Sequence, residues 1–272
     1  MVKDCRMDFG TGHKESNMTN MLSGKKGLVI GIANDHSIAL GCARAFHNKG
    51  AELAITYMNE KAEQYVRPLA EQIKASIILP LDVSDDTQMK AVFDEIKEKW
   101  GKLDFLLHAV AFAPKEDLRG RVVDCSREGF LMAMDVSCYS FIRLAHFAEP
   151  LMLNGGCLLT TSYYGSDHVI ENYNMMGPVK SALEGAVKYL SVEMGKSRIR
   201  VNALSPGPIM TRAASGLTNF SELINEEQRK SPSHEIPTID DVGAMAAFLV
   251  SDDGRHITGN ITFIDCGIHV LG

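Results

Sequence analysis

The strongest constraint on the fold lies near the start of the chain. Residues 26–32 (KGLVIGI) form an apolar run of strand type, and a polar, turn-rich pentad, Ala33-Asn34-Asp35-His36-Ser37, follows it. Helical periodicity then runs from Ile38 to about Lys49, Gly50 stands where a helix-ending glycine would, and 51–57 (AELAITY) is a second strand-type run. A strand, a Gly-bearing loop, a helix and a strand within about thirty residues make a βαβ unit, which opens a parallel sheet.

The alternation then repeats along the chain. Helical patterns at 60–74, 84–100, 127–144 (continued over 145–153), 172–194 and 238–251 separate strand-type runs at 75–81, 102–109, 156–161, 198–203 and 260–264. Ser84 is placed to cap the helix it opens, with Asp85 and Asp86 in the first turn. Residues 210–230 read as a loop and two short helices. No repeat or linker divides the chain, so the expected fold is a single doubly wound, Rossmann-like α/β domain over 21–272. About seven parallel strands carry helices on both faces, and ligands belong at the carboxyl ends of the strands. The first twenty residues are polar and aperiodic and read as a disordered extension.

Composition narrows the class. With 272 residues, 45% of them hydrophobic, the chain can bury one large core. It has no apolar run of membrane-spanning length, which speaks against a membrane protein, and a net charge of −6 without a basic cluster argues against nucleic acid. The six cysteines are scattered, with neither a CxxC pair nor Cys/His ligand spacing, so no metal site is expected. They read as buried free thiols of a soluble protein in a reducing cytoplasm.

Chemistry concentrates in two places. The first is the loop after the first strand, with Gly31 and Gly41 but no complete G-x-G-x-x-G, where helix N-terminal amides suit a pyrophosphate. Ser37 is placed either to cap that helix or to donate to phosphate. The end of the second strand, Tyr57-Met58-Asn59-Glu60, has one acid and no arginine, which favours NADH and leaves NADPH open. Asp82 at the end of the third strand suits either an adenine amino group or a turn. His108, in an apolar run, reads as a core histidine.

The second place is 162–184 (SYYGSDHVIENYNMMGPVKSALE), with Tyr163, Tyr173 and Lys180. On a continuous helix from Asn172, Tyr173 and Lys180 stand two turns apart on one face. There the lysine lowers the phenol's pKa, and the phenol meets negative charge developing on a substrate oxygen. By itself the spacing also fits a half-buried tyrosine and a solvated lysine.

Taken together, these stretches resemble one family. From about Leu22 to its end the chain resembles the short-chain dehydrogenase/reductases, and more closely their bacterial enoyl-acyl-carrier-protein reductases. The resemblance rests on GIANDHSIALG (31–41), Asp82-Val83, Phe112-Ala113-Pro114, Tyr163 with N-Y-N-x-M-G-x-x-K (172–180), and R-V-N-A-x-S-x-G-P-I (200–209). Ketoreductases and alcohol dehydrogenases of the superfamily place a tyrosine four residues before the lysine and a serine seventeen before it. Here those positions hold Met176 and Tyr163, which sets that reaction aside. A non-catalytic nucleotide sensor on the same fold would be expected to lack the tyrosine or the lysine.

The resemblance implies reduction of trans-2-enoyl thioesters by NADH in type II fatty-acid synthesis. Tyr173 would stabilise the enolate and Lys180 would hold the nicotinamide ribose, with Tyr163 beside them. Gly31, Ser37, Ile38, Met58, Asp82, Val83, Val110, Ile209, Thr211 and Ala213 would line the cofactor with Lys180. Ala113, Tyr163 and Tyr173 would touch substrate under a lid spanning about 209–230. It also implies acyl-carrier protein as a partner and a homotetramer with the last helix and strand in an interface. The basic residues expected after the lid's A-A-S-G are missing, so Lys196, Arg198, Arg212 and Lys230 are left as candidates for carrier docking. Asp265-Cys266-Gly267 stands where Asp-Gly-Gly is usual, which reads as a packing change.

Overall fold

The computed structural model describes residues 20–211 and 220–271. The expected disordered extension lies outside the described residues except for Asn20, and so do the centre of the expected lid and the first of its two short helices. The described strands are β1 (Lys26–Ile30), β2 (Glu52–Tyr57), β3 (Ile77–Pro80), β4 (Phe105–His108), β5 (Gly156–Thr161), β6 (Ile199–Pro206) and β7 (Ile261–Ile264). All are parallel, in the order β3-β2-β1-β4-β5-β6-β7. The order reverses between β1 and β4, where the doubly wound plan opens its ligand crevice.

Both faces of the sheet are covered, which explains why the strands read as continuous apolar runs. Alternate residues serve opposite layers. Leu28, Leu106 and Leu158 face one core, built with α3 (Asp86–Trp100), α6 (Ser140–Ala148) and α7 (Met176–Glu193). Val29, Leu107 and Leu159 face the other, built with α1 (Ile38–Asn48), α2 (Glu60–Gln72) and α9 (Ile239–Val250). Two further helices, α4 (Lys115–Leu118) and α5 (Arg127–Met134), follow β4, and α8 (Phe220–Lys230) precedes α9. Helices α1 and α9 cross in contact. A Cβ on Gly41 would lie 2.2 Å from the Ile239 carbonyl, so Gly41 serves helix packing.

Several local expectations are corrected. The cap of α3 is Asp85, whose carboxylate accepts from the amides of Thr87 and Gln88; Ser84 instead donates to Asp82. The helix expected over 127–144 is interrupted by a π-turn at Asp135–Tyr139. Helix α7 starts at Met176 rather than Asn172. Pro178 has no N–H, and its ring would clash with a helical Asn174 carbonyl. Asn172 and Asn174 accordingly take the left-handed region, at φ 63° and 46°. Of the free cysteines, Cys42, Cys138 and Cys157 are buried, whereas Cys125 and Cys266 are partly exposed. Cys266 adopts φ 55°, so a side chain occupies backbone that favours glycine, and the change there is one of backbone as well as packing.

Candidate active site

The carboxyl ends of β1, β4, β5 and β6 bring the sequence candidates together. After β1, Gly31 takes φ +113°, and a Cβ there would lie 2.1 Å from the Ala109 carbonyl. Only glycine lets this loop lie against the end of β4. The Ser37 hydroxyl accepts from the amides of Ala33 and Asn34, at 3.0 and 3.1 Å, and makes no side-chain cap on α1. Its role is to tighten the loop, and Ile38 then opens the helix. Met58 is exposed just past β2, while the next residue, Asn59, caps α2. On α2, Arg67 is paired with Glu63 at 2.5 Å and lies over the ring of Tyr57. Asp82 accepts from both the amide and the hydroxyl of Ser84, so its carboxylate orders the turn after β3 beside buried Val83.

Val110 and Ala113 follow β4. The loop there is held by Ser137 of the π-turn, whose hydroxyl accepts from the Phe112 amide and donates to its carbonyl. The turn thus places side chains that a regular helix would aim elsewhere. Ala113 packs with Tyr173 against a small cluster of Ala133, Met175, Met176 and Val179. Met176 is therefore core, at the position where a ketoreductase would carry its phenol.

Tyr173 precedes α7, so the two-turn helical argument for its placement fails. Packing positions it instead. Its ring lies edge-on to that of Tyr163 at 4.9 Å, and a Cβ on Gly165 would come within 2.7 Å of it. Burial and the nearby Glu184 charge push its phenol above the usual range, so the lysine does not acidify it. The phenol stays protonated, and its hydroxyl has no hydrogen-bond partner among the described residues. It is a donor awaiting an acceptor.

Lys180 is buried on α7 and donates to the Thr161 carbonyl at 2.6 Å. Burial lowers its ammonium to about 8, opposed by the charge of Glu184. Glu184, one turn further along, accepts from the Ser162 and Ser166 hydroxyls at 2.5 and 2.7 Å, tying α7 to the segment after β5. It was legible only as an acid inside an apolar helical stretch. Tyr163 donates to Glu227 of α8 at 3.2 Å, as does Tyr164. Neither Tyr164 nor Glu227 stood out in sequence, because LINEEQRK reads as a solvated helix. Desolvation foremost, then the Glu227 charge, raise both phenols above their ordinary range.

His108 is fully buried between the hydroxyls of Thr160 and Ser140, each at 2.9 Å, as a core histidine. Burial and Lys180 hold it neutral, its pKa lowered to about 3. Ile209 and Thr211 continue from β6, and Ala213 lies outside the described residues. Lys196 and Arg198 precede β6, at the amino end of that strand, whereas the site lies at the carboxyl ends. Lys230 is paired with Glu226 at 2.5 Å, and Arg212 lies outside the described residues.

Known proteins resemble this chain in sequence and fold. A family model described as enoyl-(acyl carrier protein) reductase matches residues 31–269. The enoyl-(acyl-carrier-protein) reductase (NADH) FabI of Rickettsia typhi is 46% identical over 254 residues, covering 93% of this chain and 97% of the relative. The crystal structure of the reductase of Anaplasma phagocytophilum with NAD superposes with a TM-score of 0.89 at 47% identity, over 94% of this chain and 96% of that one. The Bacillus cereus reductase, solved with NADP+ and an indole naphthyridinone, gives 0.91 at 42% identity over 93% and 99%. With a family model matched over residues 31–269 and relatives of this identity covered nearly end to end, the chain belongs to the enoyl-acyl-carrier-protein reductase family.

Proposed function

We propose that the chain reduces the trans-2 double bond of enoyl thioesters on acyl-carrier protein, using NADH, in the elongation cycle of bacterial type II fatty-acid synthesis. The observation that carries this reading is the half-buried Tyr173, protonated and without a hydrogen-bond partner among the described residues, beside a site where Met176 is buried in apolar packing. A phenol so placed can donate to an enolate oxygen as charge reaches it.

The residues fit a dinucleotide. Gly31 lets the loop after β1 lie close against the end of β4 at the mouth of the crevice, and Ser37, Ile38, Val83 and Val110 follow the carboxyl ends of β1, β3 and β4 there. NADH, when bound, supplies hydride to C3 of the enoyl group. Lys180 would hold the nicotinamide ribose hydroxyls with the donors that Thr161 leaves over, and keep the local potential positive. Tyr173 would donate to the thioester oxygen, and Ala113 and Tyr163 would form the wall against the acyl group. NADH is favoured over NADPH because the turn at the end of β2, 57–61, holds no arginine, and Arg67 on α2 is paired with Glu63.

The same reading extends to assembly. β7 closes one edge of the sheet, and Tyr189 and Val192 on α7 are largely exposed, as a homotetramer with interfaces on α7, α9 and β7 would require. Residues from about 209 to 230 would close over the acyl chain, in a cytoplasmic enzyme. Among the described residues no helix is long and apolar enough to cross a membrane.

The test is loss of nicotinamide absorbance with crotonyl thioester, NADH and NADPH in parallel, and acetoacetyl thioester as control. Oxidation of NADH with the crotonyl substrate alone is the expected result. Turnover of the keto substrate would overturn the reading.

A further inference from the structure

The Tyr163 phenol is caged on three sides. Its ring meets Tyr173 at 4.9 Å and Tyr164 at 5.0 Å, both edge-on, and its hydroxyl meets Glu227 at 3.2 Å. A phenol has one proton to donate, and here the carboxyl on α8 takes it. Glu227 is 4% exposed, an unusual place for an acid. One of its oxygens, Oε1, serves both Tyr163 and Tyr164. The other, Oε2, is buried and has no partner among the described residues.

We propose that Glu227 is a positioning residue of the reduction, pinning the Tyr163 phenol by its single donor so that Tyr163 is a fixed wall and Tyr173 alone donates to the enolate oxygen. The inference rests on the assignment of Tyr163 and Tyr173 to the substrate side of the site. An acid is suited to this because one oxygen can accept from two phenols that burial would otherwise leave unsatisfied.

The surroundings bias Glu227 toward its neutral form. Burial raises its pKa, as does the charge of Asp265 after β7, while the Tyr163 and Tyr164 hydroxyls and Lys230 on its own helix act against that. Ionisation as pH rises would place negative charge behind the wall of a site where a further negative charge develops. Turnover is therefore expected to fall as Glu227 ionises.

The test is a double-mutant cycle on the full chain with NADH and crotonyl thioester. Glu227→Leu is expected to raise KM for the thioester about five- to tenfold, the worth of the hydrogen bond that holds Tyr163, with NADH affinity unchanged. Tyr163→Phe should do the same, and the double variant should be no worse than either. Glu227→Gln, which keeps an acceptor, should restore KM while removing one inflection from the pH profile of kcat/KM. The fall near pH 8 that belongs to Lys180 should remain. Additive losses, an unchanged KM in Glu227→Leu, or a Glu227→Gln profile identical to the parent would overturn the proposal. Should Glu227→Leu fail to fold, the cycle of Glu227→Gln with Tyr163→Phe and its pH profile still decide. Full turnover in Tyr173→Phe would instead overturn the site assignment, whatever Glu227 does.

Discussion

The Lys180 ammonium donates to the Thr161 carbonyl at 2.6 Å, joining the second turn of α7 to the carboxyl end of β5. The bond fixes a buried charge at the carboxyl ends of the strands, the side on which doubly wound sheets open their ligand crevice. It occupies one of three ammonium donors, and no further hydrogen bond from Lys180 is made among the described residues. Helix α7 is thereby both a structural element and the carrier of a buried cation at the site.

Lys180→Ala should weaken NADH binding about tenfold or more, the scale of a charged hydrogen bond, as read by fluorescence titration. NADH affinity of the parent should fall as pH rises through about 8, where the folded lysine discharges. An unfolded lysine stays protonated up to its ordinary 10.5, so between these values the unfolded chain binds more protons. Folding stability should therefore rise with pH across that window while cofactor affinity falls. Urea midpoints would show the slope, and Lys180→Met should flatten it.

Tyr173→Phe removes a donor that has no partner among the described residues. Turnover should fall about a hundredfold or more with NADH affinity unchanged, the signature of a group that acts only as charge develops. Tyr163→Phe should cost much less, and mainly in KM, because its proton is already given to Glu227.

His108 bears on acid stability. It is neutral in the fold down to about pH 3, whereas an unfolded histidine takes a proton near 6.5. Between these values the unfolded chain binds more protons, so stability falls as pH drops through the window. His108→Leu should shallow that dependence in urea titrations. At neutral pH it should cost about 2–4 kcal/mol, because Thr160 and Ser140 each lose a buried partner.

Cys266 sits at φ 55° beside Gly267 at 85°. Cys266→Gly should relieve the left-handed strain and stabilise the chain by about 1 kcal/mol, measured as a higher thermal midpoint. Gly41→Ala should do the reverse, since its Cβ has no room against the backbone of Ile239.

Sequence alone determined the layered plan, because seven apolar runs alternating with amphipathic helices admit little besides a parallel sheet covered on both faces. It also singled out Tyr173 and Lys180 as the candidate pair and Gly31 as the glycine of the first loop, since residue type and order are themselves the evidence. The tertiary structure decided how those groups meet. Tyr173 reaches the site from a turn, where Pro178 bars the helix and Asn172 and Asn174 take left-handed backbone. Ser37 binds its own loop, and the acid that holds Tyr163 arrives from α8, 64 residues further along the chain. Local pattern records which face of an element is apolar. It does not record which distant side chain will share a buried hydrogen bond, because that pairing is set by packing among elements far apart in sequence.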